Sequence, residues 1–177
     1  MNRFCSSGLK AVQDIANQIS AGSIEVGLAI GAESMSEGGD RLTKPFHEEI
    51  MKCEEARDCL QPMGQTSENV GNDFNISRES QDRYAAESYQ RAERAQKAGW
   101  FADEIVPITI KTGKGETITI ARDEGPRWGT TFESISKVRP AFPEFGDKST
   151  GGNSSQVTDG GESIPATHTY IFLRQLT

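Results

Sequence analysis

The residues with the clearest chemical potential stand at the start of the chain, in Asn2-Arg3-Phe4-Cys5-Ser6-Ser7-Gly8-Leu9. A cysteine thiolate is a strong nucleophile, and nearby positive charge stabilises it. Here the cysteine precedes a stretch in which Leu9, Val12, Ile15, Ala16 and Ile19 recur at spacings of three and four, the period of an amphipathic helix. The spacing predicts a helix over Leu9–Ser20, ended by the glycine in Ala21-Gly22-Ser23. Cys5 is then expected where unpaired N–H groups and the positive helix end converge. Small Ser7 and Gly8 would let a ligand carbonyl approach the backbone. The same position equally suits an inert, buried cysteine packed at a helix start, so position alone leaves both readings open.

A helix that presents a nucleophile needs a sheet behind it. Ile24–Gly31 is a near-continuous apolar run and is expected to be a buried strand of a parallel sheet. From about Glu37 to Lys148 the pattern changes, and a detour of that length needs structure of its own. Ser77 is expected to cap a helix running to about Ala98, with Glu79 in its first turn and Gly99 beyond its end. Glu104–Ile110 and Glu116–Ala121 are rich in β-branched residues and joined through Thr112-Gly113-Lys114-Gly115, which reads as a hairpin. Phe132, Ile135 and Val138 mark one face of a short helix that Pro140 should stop.

Composition bounds the partners. A net charge of −7 argues against nucleic acid or an anionic membrane as the main partner. No apolar run approaches the roughly 20 residues of a membrane span. Met1 leads straight into the cysteine loop, so no targeting segment is expected ahead of it. Three cysteines (Cys5, Cys53, Cys59) and two histidines (His47, His168) show no metal-ligand spacing. A reducing compartment fits them, with Cys53 and Cys59 as ordinary thiols and His47 as a surface residue.

Several blocks carry a resemblance. Asn2–Leu9 is followed by Gly31-Ala32-Glu33-Ser34-Met35-Ser36, Ala56-Arg57-Asp58-Cys59-Leu60 and Pro62-Met63-Gly64-Gln65-Thr66-Ser67-Glu68-Asn69-Val70. Then come Ile76-Ser77-Arg78-Glu79, Asp123-Glu124-Gly125-Pro126-Arg127, Arg139-Pro140-Ala141-Phe142 and Gly152-Asn153-Ser154-Ser155-Gln156-Val157-Thr158-Asp159-Gly160. In this order they resemble the thiolases, in particular the peroxisomal 3-ketoacyl-CoA group. The resemblance implies an α/β chain with a partial thiolase fold. Residues 1–36 would hold the nucleophile loop, helix and core strand. Residues 37–148 would form the loop domain covering coenzyme A, and 149–160 a return to the core. Residues 161–177 match nothing in the family pattern, and are expected to be a poorly ordered tail with at most a short strand at Tyr170–Leu173. Pro165 would break the helix expected after Gly160.

The resemblance also implies a chemistry. Cys5 would attack the keto carbonyl of a 3-ketoacyl-CoA. The C2–C3 bond breaks, acetyl-CoA leaves, and a second coenzyme A takes the acyl group from the resulting thioester. The Cys5 amide would help hold the carbonyl oxygen. Ser155 would contact the pantetheine arm, Arg127 the nucleotide end, and Met63 the pantetheine tunnel. Coenzyme A is a co-substrate here, with no permanently bound cofactor. A homodimer and a peroxisomal location follow from the family, and neither nucleic acid nor membrane is an expected partner. The terminal Arg174-Gln175-Leu176-Thr177 is not a Ser-Lys-Leu type address, which leaves the cytosol open. The histidine, asparagine and second cysteine that complete the family's machinery are not matched in this sequence, so this chain alone is expected to be inactive. A non-catalytic CoA-binding or subunit-pairing role, and a biosynthetic acetoacetyl-CoA thiolase, are the alternatives.

Overall fold

The computed structural model describes residues 1–38 and 46–167. Two compact units emerge, one from Met1–Pro45 with Val157–Thr177 and the other from Phe46–Gln156.

The first unit is a helix on a two-stranded sheet. Helix α1 (Ser7–Ser20) starts two residues earlier than its apolar spacing suggests and leads to strand β1 (Val26–Glu33) and the short helix α2 (Met35–Gly38). The unit closes with β4 (Gly160–Thr167), which pairs antiparallel with β1 from Val26↔Thr167 to Glu33↔Gly160. The expected parallel sheet is therefore corrected: the observed neighbour of β1 is antiparallel. Residues 161–167, expected to begin a poorly ordered tail, are strand as well. Pro165 is accommodated opposite Leu28, because a strand with one neighbour has an edge where no N–H is required. The short strand expected at Tyr170–Leu173 lies outside the described residues.

Burial of β1 is one-sided. Ala29 and Ala166 are buried with Ile19 of α1, while Val26, Leu28 and Ile30 on the other face are exposed. Strand side chains alternate between faces, and α1 covers only one of them. Contact there is close enough that a Cβ on Gly27 would lie 2.4 Å from Ile15 Cγ2. Leu9, placed by its spacing on the apolar face, is 74% exposed.

The second unit is mainly helical. It runs α3 (Glu48–Lys52), α4 (Glu54–Asp58), α5 (Met63–Asp73) and α6 (Arg78–Lys97), then hairpin strands β2 (Ile108–Lys111) and β3 (Thr117–Ile120), then α7 (Phe132–Ile135). His47 is exposed and caps α3, its Nδ1 accepting from Glu49 N at 3.3 Å. Ser77 caps α6 through Ser80 N at 3.1 Å, and Gly99 takes φ +73° just past its end, as a helix-terminating glycine does. Strands β2 and β3 pair antiparallel from Ile108↔Ile120 to Lys111↔Thr117. They are shorter than their composition suggests, because Glu104 and Ile105 turn back to donate to the Phe101 carbonyl. The capping box of Thr131 and Ser134 fixes the start of α7, which ends before Val138 and well before Pro140. Ala85, Ala86 and Ile135 form the apolar core, with Tyr89 and Phe132 packed against it. Among the described residues no helix is long and apolar enough to cross a membrane.

Candidate functional site

The cysteine loop is a tight turn tied to the start of α1. Asn2 Oδ1 accepts from Phe4 N at 2.8 Å, and Ser7 Oγ accepts from Arg3 N at 2.8 Å while donating to the Phe4 carbonyl at 2.7 Å. Backbone bonds from Ser6 N to Arg3 O and from Ser7 N to Phe4 O close it. Phe4 pays for the bend with φ +53°, a left-handed conformation that is strained for a bulky residue and tends to occur at functional sites. Cys5 thus stands one residue ahead of the helix cap, Ser6, with its thiol free and exposed. Among the described residues no acceptor takes the Gly8 or Leu9 amide hydrogens, so they remain available to an external acceptor. Gly31 of β1 packs behind this start, where an added Cβ would lie 3.7 Å from Gly8 Cα.

A second tie closes the same unit. Asp159 accepts from Ser36 N at 2.8 Å and from Ser34 Oγ at 3.2 Å. The Ser36 amide is the main reason that its carboxyl is held below the usual range, with the two serine hydroxyls adding to it. Two of the sequence blocks, Gly31–Ser36 and Gly152–Gly160, meet at this point.

In the second unit, Met63 opens α5 at 69% exposure. It lines a shallow cleft of about 340 Å³ with Thr66, Val70, Ile76 and Gln81 among its walls. Ser155 lies in an exposed stretch, its hydroxyl making only a 3.4 Å contact with the Gln156 carbonyl. Gln156 Nε2 donates to Gly125 O at 2.7 Å, which ties the Ser155 stretch to the segment carrying Arg127. A Cβ at position 125 would come 2.1 Å from Gln156 Oε1, so a larger residue there would push the Gln156 amide aside. Arg127 is exposed. Beside it Trp128 carries Lys97 at 5.0 Å and Arg122 at 5.1 Å from its ring centroid, and its indole N–H donates to Gln96 Oε1 at 2.8 Å. Lys97 is paired with Glu93, whereas among the described residues Arg122 and Arg127 have no carboxylate partner.

The sequence-based residues therefore divide. Cys5 belongs to the first unit, and Met63, Arg127 and Ser155 to the second. Within the second, the Gln156–Gly125 bond brings the Ser155 and Arg127 segments together. Sequence reasoning did not single out Glu68, Asp82 or Trp128. A glutamate inside the polar run Thr66–Asn69 and an aspartate on a charged helix give no signal of burial; only the fold reveals it. No group of three or more His, Cys, Asp or Glu suited to a metal occurs among the described residues.

Comparison with known proteins agrees with these blocks. Residues 1–164 match the thiolase N-terminal domain model. The mouse peroxisomal 3-ketoacyl-CoA thiolase A is 47% identical over 168 residues, 93% of this chain and 39% of the relative. The Saccharomyces cerevisiae peroxisomal enzyme is 49% identical over 163 residues, 90% of this chain and 38% of the relative. The 1.8 Å crystal structure of the dimeric yeast peroxisomal thiolase superposes with a TM-score of 0.83 at 48% identity, covering 94% of this chain and 42% of that one. This chain thus spans about two fifths of the length of the curated relatives it matches.

Proposed function

The chain belongs to the thiolase family, through that family's N-terminal domain, and from that premise we propose that it carries the nucleophile and part of the coenzyme A site of a 3-ketoacyl-CoA thiolase. The observation that carries this is the free, exposed Cys5 thiol on a strained turn that leads into α1, whose first-turn Gly8 and Leu9 amides have no acceptor among the described residues. A thiolate there attacks the C3 carbonyl, and the amides stabilise the negative oxygen as it forms. Cleavage of C2–C3 leaves an acyl thioester on Cys5, and the electron pair goes to C2, which takes a proton as acetyl-CoA departs. Coenzyme A thiolate then attacks the thioester and frees Cys5. Ser155 supports the pantetheine arm and Met63 lines its path. Arg127 faces the phosphates, and the unpaired Arg122 on Trp128 strengthens that reading.

Among the described residues, no imidazole or carboxylate contacts the Cys5 thiol. A nucleophile without its base forfeits most of the rate, commonly 10³-fold or more. These 177 residues on their own are therefore an acyl-transfer unit that binds coenzyme A and turns over poorly. The intact thiolase would be a peroxisomal homodimer acting on 3-ketoacyl-CoA in fatty-acid β-oxidation, in keeping with the dimeric yeast relative. The Ala56–Gly64 block favours this degradative role over acetoacetyl-CoA synthesis. The test is acetyl-CoA release from a long-chain 3-ketoacyl-CoA by the purified chain. Little or no turnover is expected, and turnover within about tenfold of a full-length thiolase contradicts the reading.

A further inference from the structure

Two carboxylates in the second unit are buried, although nothing apolar requires it. Glu68 on α5 and Asp82 on α6 are each 1% exposed, and both reach the same loop. Glu68 Oε1 accepts from Ser149 N at 2.6 Å and from Lys148 N at 3.0 Å. Asp82 accepts from Asn153 Nδ2 at 2.9 Å and from Arg78 Nε at 2.6 Å. Asn153 closes the loop on itself, its Nδ2 donating to the Lys148 carbonyl at 2.9 Å and its Oδ1 accepting from Thr150 N at 2.8 Å. Gly146 makes room for the carboxylate, because a Cβ there would lie 2.2 Å from Glu68 Oε2. Immediately after this locked loop come the exposed residues Ser154–Gln156, held at their far end by the Gln156–Gly125 bond.

Burying a carboxyl group is costly unless its hydrogen bonds are met. Here two such groups are spent on one loop whose outgoing end offers an open hydroxyl at Ser155. We infer that Glu68 is a positioning residue for coenzyme A: through the Lys148 and Ser149 amides it sets the direction in which the loop delivers Ser155, with Asp82 and Asn153 fixing the other end. The inference rests on the reading that Ser155 contacts coenzyme A. A side chain that works through another should show coupling to it, whereas one that only stabilises the fold should not.

The test is calorimetric titration of coenzyme A into the full chain and into Glu68→Ala, Glu68→Gln, Gly146→Ala and Ser155→Ala, with Ser155→Ala also combined with the first and third. Circular dichroism checks that each is folded. Glu68→Ala and Gly146→Ala are expected to raise Kd roughly tenfold, the loss of about one good hydrogen bond. Glu68→Gln keeps an acceptor oxygen of the same reach and should stay within about twofold. Ser155→Ala should weaken binding in the wild-type background and add nothing once Glu68 is removed or displaced. If Glu68→Ala does not fold, Gly146→Ala decides, since it displaces the carboxylate without deleting it. Unchanged affinity in the folded variants, or Ser155 and Glu68 effects that simply multiply, overturns the inference while leaving the coenzyme A reading intact. A wild-type chain that does not bind coenzyme A, or binding indifferent to Ser155, overturns that reading and this inference with it.

Discussion

The two units are held together by different means. The first packs α1 on a two-stranded sheet through Ile19, Ala29 and Ala166, and leaves Val26, Leu28 and Ile30 in the open. The second has a small apolar core at Ala85, Ala86 and Ile135, and buries Glu68, Asp82, Ser149 and Thr150 as fully as any apolar side chain. The nucleophile thus sits on a layer with one apolar face uncovered, whereas the loop preceding the return strand is locked by directional hydrogen bonds. Directional bonds fix one geometry, while an uncovered apolar face invites association. The packing of the nucleophile's unit is therefore sensitive to what covers β1, whereas the loop before Ser155 is fixed by its own hydrogen bonds.

That contrast can be broken at several points. The largest effect is expected for Asp82→Ala, which removes the buried acceptor of both Arg78 Nε and Asn153 Nδ2, two charge-assisted hydrogen bonds, and should cost about 3–5 kcal/mol of stability in urea unfolding. A loss under about 1 kcal/mol would mean that hydrogen bonding does not hold the second unit. In the first unit, Ile19→Ala should cost about 2–4 kcal/mol, whereas Leu28→Ser on the open face should stay within about 0.5 kcal/mol. Leu28→Ser should also reduce self-association in light scattering, and equal costs at the two positions would show that both faces of β1 are covered in solution. The smallest effect concerns acid. The carboxyl of Asp159 is depressed, chiefly by the Ser36 amide. Its contribution is therefore fully present above the ordinary carboxylate range and lost as pH falls through the depressed value. Asp159→Asn should remove that share of the acid sensitivity of the unfolding midpoint, and an unchanged pH profile would exclude the tie.

Much of the fold was legible where side-chain period or cap chemistry decides structure. Val12, Ile15 and Ile19 announced α1, Ser77 and Gly99 bracketed α6, and the isoleucines and threonines around Gly113 marked the hairpin. Helix α5 was not legible: Met63-Gly-Gln-Thr-Ser-Glu-Asn-Val-Gly-Asn-Asp73 has no apolar stripe. It is placed by Glu68 and by Gly64, where a Cβ would come 2.5 Å from the Phe142 ring. Nor was β4, because Pro165 argues against regular structure in a chain read without its partner strand. The site divides in the same way. Cys5 was a candidate from its place before a helix, a place that suits an inert cysteine too until the family resemblance is added, while Ser155, Arg127 and Met63 came only through that resemblance. Glu68 and Asp82 needed the fold, since a carboxylate's burial is a property of its neighbours.

The central claim is that the chemistry resides on Cys5, and competitive alkylation tests it most directly. All three thiols are exposed and free, so access does not distinguish them. Cys53 Sγ donates to Glu55 Oε2 at 3.3 Å and Cys59 Sγ to the Glu55 carbonyl at 3.4 Å, so each of these thiols is already engaged with a protein acceptor. Cys5 has no such acceptor among the described residues and stands one residue before the N-cap of α1. Native chain treated with limiting iodoacetamide at about pH 7 and mapped by mass spectrometry should be labelled first at Cys5. Earlier labelling of Cys53 or Cys59 would contradict the assignment of Cys5 as the nucleophile.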